Sequence, residues 1–264
     1  MDLQLKGKRA LVTGSTAGIG FAIAQALATD GAVVTINGRD AMRVQAAVAR
    51  LQAAVPGAQV SGVAADLSNA QGVAALVAAV PEVDVLVNNM GIFDPKPFDD
   101  IPDADWTRFF ETNVMSGVRL SRAYLAAMKA RNWGRIVFIS SESGLCPPAE
   151  MVHYGMTKSA QISVARGLAE TCAGTGVTVN SVLPGPTMTE GAGEFFATLA
   201  REQGLTMAQA TQAFFDHARP TSILKRFIQP AEVASLVAYV CSPLASATQG
   251  AALRVEGGVV RSMA

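Results

Sequence analysis

The chain has 264 residues, enough for one or two domains and for a core that needs no disulfide support. Half of the residues are apolar and only 16% are charged, which excludes disorder, collagen and coiled coil and leaves little charge to cover a monomer's surface. Lysine plus arginine equals aspartate plus glutamate at 21 each, so no net field draws the chain to nucleic acid or to an acidic membrane.

In chain order, short β-branched runs alternate with long alanine-rich amphipathic stretches. Met1 to Lys8 has no signal-peptide stretch, and the longest apolar run, Val73 to Val80, is too short to span a bilayer. Cys146, Cys172 and Cys241 are odd in number and show no C-x-x-C spacing, so the reading is a cytoplasmic protein. Strands are predicted at Arg9–Thr13, Val33–Ile36, Gln59–Ala64, Val83–Val87, Arg135–Ile139, Val177–Leu183 and Ala251–Val255. Helices are predicted near 18–29, 40–54, 69–79, 103–130, 151–173 and 230–241. Continuously apolar strands such as Val83-Asp84-Val85-Leu86-Val87 call for burial on both faces, as in a parallel sheet. The alternation, with short connections and no linker, predicts one α/β domain over 1–264 with a doubly wound parallel sheet. One segment breaks the rhythm. Residues 187–229 are far longer than a usual connection, as lids and substrate-binding loops are.

The first strand runs into Thr13-Gly14-Ser15-Thr16-Ala17-Gly18-Ile19-Gly20, which opens the first helix. Glycines there let the backbone turn tightly and approach a pyrophosphate, and the helix N-terminus supplies N–H donors and the positive end of its dipole. The spacing is wider than G-x-G-x-x-G, and no Gly-Lys-Ser/Thr follows, so this is not a Walker loop. The second strand ends Thr35-Ile36-Asn37-Gly38-Arg39. No acid stands at Gly38 to bind a ribose 2′-hydroxyl, and Arg39 offers a guanidinium to a 2′-phosphate. The cofactor expected is therefore NADP(H) in preference to NAD(H), although the glycine loop itself adds no second cation.

Tyr154 and Lys158 are four residues apart in a helical stretch, so both project from one face. An ammonium beside the phenol should lower its pKa toward working pH. Ser141, thirteen residues before Tyr154, ends the fifth strand, where open α/β sheets bind ligands.

With these residues in place, the chain resembles the short-chain dehydrogenase/reductase family over nearly its whole length. The matching pieces are Thr13–Gly20, Asp66-Leu67, Asn88-Asn89-Met90-Gly91, Asn113, Ser141, Tyr154-x-x-x-Lys158 and Pro184-Gly185. The resemblance implies a Rossmann fold and a catalytic tetrad of Asn113, Ser141, Tyr154 and Lys158. Tyr154 would be the general acid in reduction and general base in oxidation, with Ser141 on the developing alkoxide. Lys158 would bond the nicotinamide ribose, and Asn113 would hold a water linking Lys158 to solvent. Cofactor contacts are implied for Gly14, Ser15, Thr16, Gly18, Ile19, Gly20, Arg39, Asp66, Leu67, Asn88, Asn89, Gly91, Tyr154, Lys158, Pro184, Gly185, Thr187 and Thr189. Met90 replaces the family's alanine and should narrow the nicotinamide end of the pocket. The long helices 103–130 and 151–173 would pair across a twofold axis, giving a homotetramer or, as the fallback, a dimer.

The expected substrate is a small carbonyl compound or secondary alcohol. The alternative is a 3-oxoacyl-acyl-carrier-protein reductase, for which Arg131 in Lys129-Ala130-Arg131-Asn132-Trp133 could dock an acidic carrier; Thr175, neutral net charge and the long segment speak against it. A catalytically silent nucleotide-binding regulator is the rival from another class, opposed by the intact tetrad. His153 and His217 lack a third ligand at metal spacing and read as structural, with no metal site. Cys146 lacks a base and reads as packing, and Glu142 as a solvent or loop contact. Phe195-Phe196 and Phe214-Phe215 serve either as lid packing or as the wall of a substrate pocket.

Overall fold

The structure is a computed structural model that describes residues 1–263. Seven parallel strands form one sheet: β1 Arg9–Val12, β2 Val33–Gly38, β3 Val60–Ala64, β4 Val85–Asn88, β5 Gly134–Ile139, β6 Val177–Pro184 and β7 Ala252–Val255. Their order is β3-β2-β1-β4-β5-β6-β7, so the winding reverses between β1 and β4 and opens a crevice at their C-terminal ends.

The helices are α1 Gly18–Thr29, α2 Ala41–Ala54, α3 Ala70–Ala79, α4 Asp103–Phe109, α5 Ser116–Ala130, α6 Val152–Glu170, α7 Glu190–Glu202, α8 Met207–Ala213 and α9 Pro230–Cys241. On one face of the sheet, Ile23 and Leu27 of α1, Leu51 of α2 and Val237 of α9 close a core over β1 and β2. On the other, Leu76 of α3, Tyr124 and Met128 of α5 and Ala165 of α6 close a second. Gly117 lets α5 sit close to the sheet, because a methyl there would come within 2.7 Å of the Phe138 ring.

The predicted elements all form, with shifted ends. Val83 and Asp84 fall outside β4, where Asp84 accepts from the Arg9 side chain (Nε–Oδ2 2.9 Å). The single helix expected at 103–130 is interrupted by a π-turn at Phe110–Met115, a bulge common at functional sites. Segment 187–229 is not a bare loop. It folds into α7, α8 and a π-turn at Phe214–Ala218, held by a small core of Phe196, Phe215 and Phe227. Those phenylalanines are packing; Phe195 remains exposed.

Candidate active site

The crevice between β1 and β4 holds a cavity of about 530 Å³, lined among others by Gly14, Thr16, Arg39, Asp66, Asn89 and Gly91. Gly14 and Thr16 bring the glycine turn to its edge. Gly14 and Gly18 have φ of +59° and +57°, values that favour glycine. A methyl on Gly20 would come within 2.4 Å of Asn89 Nδ2 and 2.6 Å of the Gly14 carbonyl. Asn89 Nδ2 in turn donates to the carbonyls of Thr13 (2.9 Å) and Gly14 (3.0 Å), tying the turn to β4. The turn therefore fits a dinucleotide pyrophosphate: glycines at positive φ beside a helix N-terminus, with no room for a side chain at Gly20. Glu190 already answers that end of α1, accepting from the Gly18 N–H at 2.9 Å, and the Thr189 methyl lies against Gly18.

Not every expected contact faces the cavity. Ser15 is buried beneath the loop, with Oγ donating to the Val12 carbonyl at 2.6 Å. Asn88 is also buried and donates to Ser121 Oγ at 3.2 Å, so Asn89, Met90 and Gly91 carry that edge instead. Ile19 packs against the first core. Leu67 lines the cavity beside Asp66. Pro184 ends β6, and Gly185 follows where a methyl would strike the Glu256 carbonyl at 2.5 Å. Thr187 Oγ1 donates back to the Gly185 carbonyl at 2.8 Å.

A second cation, absent from the glycine loop, comes from α2. Arg43 lines the same cavity as Arg39, and Asp40, which also lines it, accepts the Arg43 backbone N–H at 2.8 Å as the helix cap. An acid could not replace Gly38 without displacing Thr16, whose methyl would lie 2.7 Å from its Cβ.

Lys158 and Asn113 of the expected tetrad lie next to Gly91, at one edge of this cavity. A methyl on Gly91 would lie 3.4 Å from Lys158 Nζ and 3.6 Å from Asn113 Oδ1. Lys158 Nζ is 5.5 Å from the centre of the Tyr154 ring and donates to the Ile139 carbonyl (2.9 Å) and Gln161 Oε1 (3.1 Å). The π-turn delivers Asn113, buried, with Nδ2 donating to Thr157 Oγ1 at 3.0 Å.

Gln161 is a residue that the sequence reading missed. Its Nε2 donates to the Asn113 backbone carbonyl at 2.6 Å while its Oε1 accepts from Lys158, so a side chain links the two. Its place on the face of Tyr154 and Lys158, one turn further along α6, was the available signal.

Electrostatics corrects one expectation. The Tyr154 phenol is held above its ordinary value rather than below it. Burial is the main cause and the Glu142 charge the second, outweighing the lowering by Ser141 and Arg219. Burial brings Lys158 down to about 8, against a smaller opposing pull from Glu142.

Glu142 is therefore no solvent contact. It is buried, accepts from Ser141 Oγ, and faces Arg219 Nε at 3.4 Å. Cys146 is exposed rather than packed, and lines a second cavity of about 340 Å³ with Glu150 and Arg219. His153 is packed as expected, its ring 4.1 Å from that of Phe109, and burial lowers its pKa. Arg131 donates to the Val83 carbonyl at 2.8 Å and lies 3.5 Å from Asp84. That is the N-terminal edge of the sheet, opposite the crevice, so it does not stand at the active-site mouth.

Residues 8–200 match the family model for short chain dehydrogenases. The chain belongs to that family. An uncharacterized oxidoreductase, YvaG of Bacillus subtilis, is 50% identical over 263 residues, with 100% of both chains covered. D-beta-hydroxybutyrate dehydrogenase of Cupriavidus necator is 33% identical, covering 97% of this chain and 99% of its own. Among solved structures, L-sorbose reductase from Gluconobacter frateurii, complexed with NADPH and L-sorbose, superposes with a TM-score of 0.94 at 31% identity over 100% of both chains. This short-chain dehydrogenase is an oxidoreductase of the kind that acts on CH–OH groups.

Proposed function

We propose that the protein is an NADP(H)-dependent carbonyl reductase and alcohol dehydrogenase, with Tyr154 as its proton donor and acceptor. The observation that carries this reading is the convergence of Lys158, Asn113 and Gly91 at the inner end of the nucleotide cavity, beside Tyr154 and Ser141. When bound, the nicotinamide supplies hydride chemistry that no side chain can. The cradle at Gly14–Gly20 would hold its pyrophosphate, Asp66 and Leu67 its adenine, Thr187 and Thr189 its carboxamide and phosphates, and Lys158 its ribose.

In reduction, Tyr154 donates its phenolic proton to the substrate oxygen and Ser141 donates a hydrogen bond to the same atom. A phenol held above its ordinary pKa by burial and by Glu142 keeps that proton well into alkaline solution. Oxidation requires the opposite form, so its rate climbs as pH rises and the phenol ionises. Gln161 keeps Lys158 aimed and joins it to the Asn113 carbonyl. Preference for NADP(H) rests on Arg39 and Arg43 at one lip of the cavity and on the missing acid at Gly38; NADPH in the complex of L-sorbose reductase supports it. A homotetrameric, or failing that dimeric, cytoplasmic enzyme belongs to the same reading; the oligomer rests on the long helices and the charge-poor composition, and the compartment on the three free cysteines.

Steady-state turnover of a panel of ketones and secondary alcohols with each cofactor tests the proposal. Reduction of ketones faster with NADPH than with NADH is the expected result. No turnover with either cofactor across the panel would contradict it.

A further inference from the structure

Glu142 follows the serine that the proposed function places on the substrate oxygen, and it is only 5% exposed. Both of its oxygens are engaged: Oε2 accepts from Ser141 Oγ and Oε1 faces Arg219 Nε at 3.4 Å. Arg219 reaches in from the end of the long segment, with its side chain 11% exposed, and also holds Glu150 Oε1 at 3.0 Å. A serine hydroxyl carries one proton. When Ser141 turns that proton to a substrate oxygen, Oε2 is left as a buried acceptor without a donor, and such atoms are costly, more so when charged. The replacement donor has to arrive with the substrate.

Charge and reach narrow what that donor is. Arg219 and Lys158 already border the site as cations, so a neutral hydroxyl suits it better than an ammonium. An anionic group at this place meets the Glu142 carboxylate and is repelled. Ser141 Oγ neighbours both Oε2 and the position of the reacting oxygen, so the donor sits next to that oxygen, one carbon away.

We propose that Glu142 is a specificity-determining residue that accepts a hydrogen bond from a hydroxyl on the carbon next to the reacting carbonyl. The substrates are accordingly α-hydroxy ketones and, in the reverse direction, vicinal diols. This deepens the reading of the preceding subsection and rests on it. A 3-oxoacyl thioester brings no such hydroxyl.

The test compares methyl ketones of three to six carbons, and acetophenone, each with its α-hydroxy counterpart, by kcat/KM at saturating NADPH. A hydroxyl also activates the neighbouring carbonyl chemically, so the deciding quantity is the change in the hydroxy-to-plain ratio on mutation. In Glu142→Ala that ratio is expected to fall by about ten- to a hundredfold, the weight of a hydrogen bond to a charged acceptor. Glu142→Gln, which keeps an acceptor oxygen, restores part of it. Because Glu142→Ala leaves Arg219 buried without its partner, the double variant Glu142→Ala/Arg219→Met is measured beside it and should show the same fall. An unchanged ratio in the folded variants overturns the inference. If Tyr154→Phe then still abolishes reduction of both ketone series, the catalytic reading survives alone. If the wild-type protein reduces neither series, the catalytic reading falls and takes the inference with it.

Discussion

The two sides of the crevice are built by different means. On the side proposed for the nucleotide the backbone does the positioning: Gly14 and Gly18 turn through positive φ, and Asn37 and Asn89 pin the turn to its neighbours. Asn37 adds bonds of 3.2 Å to the carbonyls of Val63 and Ala65. On the side proposed for the substrate, charged side chains reach across long stretches of chain. Arg219 meets Glu142 from 77 residues away, and a cluster of phenylalanines holds the segment that carries it. A backbone cradle suits one invariant ligand, whereas side-chain pairs can be exchanged to suit different substrates.

The largest effect should come from the residue on which both sides depend. Lys158→Met removes the cation beside the phenol and the expected ribose contact together, and should lower ketone reduction by at least about a thousandfold. The same variant has a signature in stability. Lys158 titrates near 8 in the folded chain and near about 10.4 when unfolded, so between those values the unfolded state binds more protons and stability rises with pH. Below pH 8 the folded state carries the whole penalty. Denaturant unfolding of the wild-type protein from pH 7 to 10.5 should show this rise superposed on other titrations, and Lys158→Met should lack it. An identical profile in the two proteins would contradict the burial argument.

A smaller effect tests the nucleotide side by itself. Arg39→Ala should reduce the NADPH-to-NADH ratio of kcat/KM by about tenfold or more, the weight of one charge-assisted contact. Arg43 should keep some preference in that variant. Equal ratios before and after would remove Arg39 from the account.

The smallest effect lies where the two sides touch. Glu190 from α7 accepts the Gly18 N–H at the end of α1 that the cofactor phosphates are expected to use. Glu190→Gln removes an anion from that end of the helix, and should tighten NADPH binding by a few-fold, as expected for one charge at a helix N-terminus. Fluorescence titration would show it, and weaker binding would mean that Glu190 supports the cofactor instead of competing with it.

The same contrast explains what could be read from the sequence. The strands, their parallel arrangement and the glycine loop were legible because buried parallel strands are continuously apolar and a tight turn demands glycine at fixed places. Tyr154 and Lys158 were legible because helical spacing places them on one face. Arg43 went unnoticed because its approach to the cavity depends on how the start of α2 lies against β2. Glu142 was misread, since nothing local announces a partner at Arg219. The direction of the Tyr154 shift was misread for a related reason: spacing shows Lys158 nearby but reveals neither the burial nor the opposing carboxylate.

The central claim is that Tyr154 moves the proton while other groups hold the cofactor, and Tyr154→Phe addresses it most directly. The variant keeps the ring beside Phe93 and Lys158 and removes only the phenolic oxygen. Measured side by side, NADPH affinity by titration should stay close to wild type, while ketone turnover falls by about 10²- to 10⁴-fold. Turnover above about a tenth of wild type, with NADPH still bound, would contradict the account.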